Sequence, residues 1–197
     1  MVHGAPPALR DDGWPLAELL KGIVESDETY VGGKSRNRRG RPGPESNKMP
    51  VVALVERGGK VKAFPVERVT SATLKNALRK HVSPSAKLMT DELGSYRKLG
   101  KGFAGHETVT HAAGEYVPGE ARTNTVEGFF SLLKRGINGT FHHVGKGHLH
   151  RYCEEFAFRY NNRIALGVND STRASLIVTG AEGKRLTYKM PAGPSEN

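Results

Sequence analysis

The chain has 197 residues, 37% of them hydrophobic and 25% charged, and a formal net charge of +10. That length suits one domain with a real core, and the basic excess favours a polyanion partner, nucleic acid above all. A lone cysteine, Cys153, excludes an internal disulfide and a zinc ribbon, and no apolar run is long enough to span a bilayer. With no charged-then-apolar pattern among the first residues, a reducing, cytosolic compartment is expected.

Residues 1–21 open with a Gly/Pro-rich stretch unlike the start of a compact domain. Leu16, Leu19 and Leu20 suit a single helical turn. The segment is expected to be a lead-in, the remnant of a longer N-terminal region. Gly22 to Gly33 is predicted to be a strand ended by a Gly-Gly turn. Alternation puts Ile23, Glu25, Asp27, Thr29 and Val31 on one face. If that face is inside, Asp27 needs a partner or a metal; if outside, it is an acid in solvent. Lys34 to Pro42 carries Lys34, Arg36, Arg38, Arg39 and Arg41 with no acid among them. It is a loop whose guanidinium groups suit phosphate oxygens, the plain alternative being a solvated charge run.

Met49 to Val55 and Lys60 to Val66 read as two strands joined around Arg57-Gly58-Gly59. With the first strand they make a three-stranded antiparallel meander. Thr70 to Val82 reads as a helix capped by Thr70 or Ser71, with Leu74, Ala77, Leu78 and His81 inward. Ala86 to Thr90 is a short strand running into Asp91. A strand after a helix predicts a parallel crossover, which leaves Asp91 at the strand's C-terminal end, where open α/β sheets hold ligands. The alternative for Asp91 is the first residue of a turn. Tyr96 to Gly102 is a short basic helix or turn, Glu107 to His111 a further strand, and Ala112 to Ala121 a loop.

Arg122 to Arg135 begins an amphipathic helix. Val126, Phe129, Phe130 and Leu133 fall at i, i+3, i+4 and i+7, and Thr123 and Asn124 are good N-caps. Glu127 has two readings, half of a capping box with Asn124 or a metal ligand. Lys134 follows it by seven residues, close to two turns, so acid and cation share a face. Gly136 to Gly147 is expected to break this helix. His148 to Arg163 is a second amphipathic helix with Leu149, Tyr152, Cys153, Phe156 and Tyr160 inside, and Cys153 is expected to be a buried, inert thiol. His142, His143, His148 and His150 lack zinc-ligand spacing. Ile164 to Tyr188 is expected to be irregular, and 189–197 a disordered tail.

In a β-β-β-α-β-α order the first and fourth strands become sheet neighbours. Asp27 and Asp91 then meet at one edge, with the Glu127 helix across them. Three carboxylates that close repel unless a cation sits among them, and hard oxygen ligands select Mg²⁺ or Mn²⁺. Two such ions, roughly 3.5–4 Å apart, stabilise both the attacking and the leaving oxygen of an in-line phosphoryl displacement.

Three stretches carry a family resemblance: SDETYVGGK (Ser26 to Lys34), LMTDELGSY (Leu88 to Tyr96) and the run from TNTVEGFF to YNNR (Thr123 to Arg163). The chain resembles a DDE-type transposase of a bacterial insertion sequence, of the ISXO-like branch, over about Gly22 to Tyr188. The resemblance implies an α/β, ribonuclease-H-like catalytic domain over 22–188, with a mixed five-stranded sheet flanked by helices. It implies Asp27, Asp91 and Glu127 as the catalytic and metal-binding triad for two Mg²⁺ or Mn²⁺ ions, with Asn124 the other candidate for third ligand. It implies metal-dependent cleavage and strand transfer on double-stranded DNA, at transposon ends and target. Lys134 matches a residue that contacts transposon-end DNA; Arg135 and the Lys34–Arg41 loop would join it on phosphates. A homodimer or higher synaptic oligomer in the bacterial cytoplasm, at the nucleoid, is expected. Relatives usually begin with a zinc ribbon and a helical DNA-binding segment; without a CxxC pair, this chain is expected to be a core lacking its end-recognition module. Two other readings keep the same fold: a non-catalytic core that binds DNA or a full-length partner as an inhibitor, and a ribonuclease-H-type nuclease acting on hybrids.

Overall fold

The computed structural model describes residues 19–32, 48–91, 102–109, 123–142 and 144–183. The chain divides into two compact units, Met1–Asn161 and Asn162–Asn197. The first holds strands β1 (Ile23–Val31), β2 (Met49–Glu56), β3 (Val61–Pro65), β4 (Lys87–Asp91) and β5 (Gly105–Val109), with helices α1 (Ser71–His81), α2 (Asn124–Gly136) and α3 (Leu149–Asn161). The second holds α4 (Asp170–Ala181).

The sheet order is β3-β2-β1-β4-β5. The pairs β1–β2 and β2–β3 are antiparallel, as the meander predicts, while β1–β4 and β4–β5 are parallel. This is the mixed five-stranded sheet expected of a ribonuclease-H-like core. The centre of β2, Pro50 to Val55, is buried at every position, the mark of a strand covered on both faces. Alternation sorts its side chains into two cores. On one face Val51, Ala53 and Val55 pack with Val126, Phe129 and Leu133 of α2 and with Leu149, Cys153 and Phe156 of α3. On the other, Val52 and Leu54 pack with Leu74 and Leu78 of α1, together with Val24, Leu88 and Leu20. Fully burying a side chain such as Phe129 or Leu133 contributes about 1.5–3 kcal/mol.

The local signals explain the element ends. The Thr70 side chain accepts from the Thr73 backbone N–H at 3.2 Å and starts α1, whose buried residues are the predicted Leu74, Ala77, Leu78 and His81. Val82 leaves the helix in extended conformation and bridges Leu20, so the last residues of the expected lead-in are tied to the core. Asn161 closes the edge of the sheet. Its Oδ1 accepts from Val61 N at 2.7 Å and its Nδ2 donates to Val61 O at 2.9 Å, as a neighbouring strand would.

Four features depart from the sequence reading. β5 starts two residues earlier than Glu107, at Gly105. The chain does not break at Gly136: α2 passes into a π-helical turn, Ile137–Phe141, and stops at His142, which has φ 59°. Gly136 is there for closeness, because a Cβ at that position would fall within the Phe156 ring. The buried residues of α3 are Leu149, Cys153, Phe156 and Ala157; Tyr160 is half-buried, edge-on to Phe129 at 5.6 Å. Within 164–188, expected to be irregular, lies the helix α4, capped by Asn169 Oδ1, which accepts from Thr172 N at 2.8 Å. The Lys34–Pro42 loop, the 112–121 loop, most of the Tyr96–Gly102 turn and the 189–197 tail lie outside the described residues.

Candidate active site

Parallel pairing of β1 with β4 sets the site. Ser26 stands opposite Thr90, so Asp27 and Asp91 follow side by side one residue further on. Asp27, Glu28 and Asp91 each offer one carboxylate oxygen, and these oxygens lie within 4.8 Å of one another. All three residues are half-buried, and the Glu28 N–H donates to Asp27 Oδ1 at 2.7 Å. Hard oxygen donors this close, with water still in reach, fit a divalent cation, and the like charges would otherwise repel. Sequence reasoning did not single out Glu28. Strand alternation gives no reason to group it with its neighbour Asp27, yet it joins Asp27 and Asp91, the last residue of β4.

Glu127 is exposed in the first turn of α2 and is not one of those three acids. Its Oε1 accepts from the Thr123 hydroxyl at 3.1 Å. Asn124, the other candidate for third ligand, is the first residue of α2 and is exposed. The Asn124–Glu127 capping box does not start the helix. Thr123 occupies the N-cap position without a side-chain capping bond.

The cap comes instead from β1. Glu25, 1% exposed, accepts from Thr125 N at 2.8 Å and Val126 N at 2.9 Å through Oε2. Its Oε1 accepts from Thr125 Oγ1 at 2.9 Å and from Arg57 Nε at 2.6 Å. An anion at a helix N-terminus satisfies free N–H groups and the positive end of the helix dipole together. Sequence reading put Glu25 on the same face as Asp27 but gave it no role. The one available signal was an acid in the middle of a strand facing the core.

On the other side of the acids, the Thr90 hydroxyl donates to the Asp91 carbonyl at 3.1 Å and contacts His106 Nε2 at 2.9 Å. Burial pushes His106 below its ordinary value. Lys134 and Arg135 are exposed in the last turn of α2, while Lys34, Arg36, Arg38, Arg39 and Arg41 lie outside the described residues.

Fold and site together define a mixed-sheet domain with acids side by side on two parallel strands, in the middle of β1 and at the C-terminal end of β4, and a helix whose start is anchored to β1. Residues 19–161 match the ISXO2-like transposase domain, and the chain belongs to that family. The match ends where the first compact unit ends. The resemblance read from the three sequence stretches is thereby borne out. A protein in transposable element ISH50 of Halobacterium salinarum, itself uncharacterized, is 33% identical over 155 residues, covering 71% of this chain and 52% of that protein. The chain thus spans about half the length of this relative. Among solved structures, the catalytic core domain of BIV integrase aligns with TM-score 0.49 and 14% identity, over 83% of this chain and 99% of that one. A Mos1 transposase paired-end complex with the left transposon end aligns with TM-score 0.33 and 18% identity, over 73% and 54%. Among the described residues no helix is long and apolar enough to cross a membrane.

Proposed function

We propose that this chain is the catalytic core of an insertion-sequence transposase that cuts and joins DNA with divalent metal. The observation that supports this most is the approach of Asp27, in the middle of β1, and Asp91, at the end of the neighbouring β4, with their oxygens within reach of one cation. In this reading Asp27, Asp91 and Glu127 hold two Mg²⁺ or Mn²⁺ ions, with Glu28 beside them. When bound, such ions supply charge stabilisation to the attacking and leaving oxygens of an in-line displacement.

The chain's own groups do the positioning. Asp27 and Asp91 project from paired strands, so their separation is set by the sheet. Glu127 is carried on α2, and Thr123 holds one of its oxygens in a hydrogen bond. Lys134, Arg135 and the basic loop Lys34, Arg36, Arg38, Arg39 and Arg41 contact phosphates of double-stranded DNA at transposon ends and target, fixing register without reading bases. Hydrolysis at the transposon end leaves a 3′-hydroxyl, and that hydroxyl displaces a phosphodiester oxygen of the target. Joining two ends to one target calls for two or more copies of the chain.

The test is nicking of pre-formed end DNA by the purified full chain in Mg²⁺ or Mn²⁺. Asp27→Asn should reduce nicking to background while DNA affinity stays within about twofold, since the Lys and Arg side chains that meet the phosphates are all kept. Nicking retained by Asp27→Asn would show that the site is wrongly assigned. Tight DNA binding by the wild type with no nicking would favour an inhibitory, non-catalytic core.

A further inference from the structure

We infer that Glu25 is a positioning residue that sets the distance between the acids on the sheet and the acid on α2; this rests on the reading of Glu127 as a metal ligand. A helix usually satisfies its first N–H groups with a side chain of its own N-cap residue. Thr123 and Asn124 are both suitable here, yet neither does so. The Thr123 hydroxyl is turned to Glu127, and Asn124 is exposed. The acceptor is a carboxylate from β1, 100 residues away in sequence from Thr125.

The carboxylate is saturated. It has about four lone-pair sites, and four donors take them: Thr125 N, Thr125 Oγ1, Val126 N and Arg57 Nε. Three of these donors belong to α2, and the fourth belongs to the β2–β3 turn. Helix, strand and turn therefore meet on one side chain that is almost completely excluded from water. An amide at this position would present an NH₂ to groups that are already donors.

The geometry of the anchor links it to the site. Two residues along β1 from Glu25, on the same face and roughly 7 Å on, stands Asp27. Two residues along α2 from Thr125 stands Glu127. Both acids thus hang from the same fixed point by short, rigid lengths of strand and helix. A cap supplied by α2 itself would satisfy the N–H groups equally well, but it would leave the start of the helix tied to the sheet by apolar packing alone, without a directional bond to β1. Side chains that orient metal ligands without touching the metal typically alter metal affinity by about 10–100-fold.

The experiment is Mn²⁺ binding to the full chain, read as loss of the free-ion paramagnetic resonance signal, beside amide exchange at Thr125 and Val126. Glu25→Gln should weaken Mn²⁺ binding about tenfold, speed exchange at both amides, and leave DNA affinity unchanged. Thr125→Val removes one of the four bonds and should weaken Mn²⁺ binding by a smaller factor, while Thr125→Ser, which keeps the hydroxyl, should bind as the wild type does. Faster exchange in Glu25→Gln with wild-type Mn²⁺ binding would overturn the inference and leave Glu25 a structural cap. If Glu25→Gln does not fold, Thr125→Val decides, and wild-type binding in it overturns the inference. Glu127→Gln separates the two levels. Unchanged Mn²⁺ binding there sinks the ligand reading itself, whereas weakened binding there with no effect in Glu25→Gln sinks only the role of Glu25.

Discussion

Glu25 and Asp27 stand two residues apart on the same face of β1 and live in different surroundings. Glu25 is roofed by the start of α2, and every lone pair of its carboxylate has a protein donor. Asp27 is half-buried and lies among two other acids, Glu28 and Asp91. One strand therefore carries a closed, charge-satisfied stretch followed by an open stretch where like charges are crowded. Closed stretches of this kind hold elements together, and open ones leave carboxylate oxygens within reach of a cation. The strand's alternation makes the two acids equivalent in sequence; what separates them is the helix that lands on one and not the other.

The sharpest way to break this comparison is to remove each acid in turn. Glu25→Ala leaves the Arg57 guanidinium and two helix N–H groups without their acceptor and should lower stability by about 3–5 kcal/mol. Asp27→Ala should cost much less metal-free stability than Glu25→Ala, because removing one of three crowded carboxylates relieves repulsion. Urea unfolding of both variants checks this, and equal losses would erase the distinction. The other end of α2 offers a second test of a closed region. Gly136→Ala pushes a methyl group into the Phe156 ring and should cost about 1–3 kcal/mol, seen as a lower thermal midpoint with nicking per folded molecule retained.

The proposed DNA contacts are probed by salt. Neutralising Arg36, Arg38 and Arg39 together should flatten the dependence of DNA affinity on salt, by about 0.9 in log–log slope for each phosphate no longer neutralised. An unchanged slope would put DNA elsewhere. The smallest effect concerns Cys153, which burial, aided by the Glu154 charge, pushes up to about 12 from 9.0. Because the folded value lies above the unfolded one, the thiol's contribution is complete below pH 9.0 and fades as pH rises toward about 12. Wild-type stability should therefore fall more steeply than that of Cys153→Ala above pH 9.0, and iodoacetamide should label the native thiol only as slowly as the protein opens.

Much of the fold was legible because its signals are local or periodic. The Leu74, Ala77, Leu78 and His81 stripe, the Thr70 cap and the β1–β4 adjacency that joins Asp27 to Asp91 all follow from spacing and element order. The rest depends on partners distant in sequence. That Glu25 caps α2 cannot be read from either segment alone, since Asn124 and Glu127 offer a plausible local cap that the fold does not use. Gly136 looks like a breaker because glycine disfavours helix, but here it admits Phe156. Helix α4 is hidden in the sequence because Leu176, Ile177 and Val178 run consecutively and leave no stripe for a helical period. The third member of the acid site is the least legible: Glu28 follows Asp27 within β1 and is brought together with Asp91, the last residue of β4, while the proposed part of Glu127 involves a helix from a distant part of the chain.

The central claim is that acids from β1, β4 and α2 share divalent cations. The most direct measurement is the anomalous density of crystals of the full chain grown with end DNA and Mn²⁺. The account predicts peaks ligated by oxygens of Asp27, Asp91 and Glu127, which vanish when Asp27 is replaced by Asn. A peak held by Asp27, Glu28 and Asp91 with Glu127 turned away, or no peak at these residues, would contradict it.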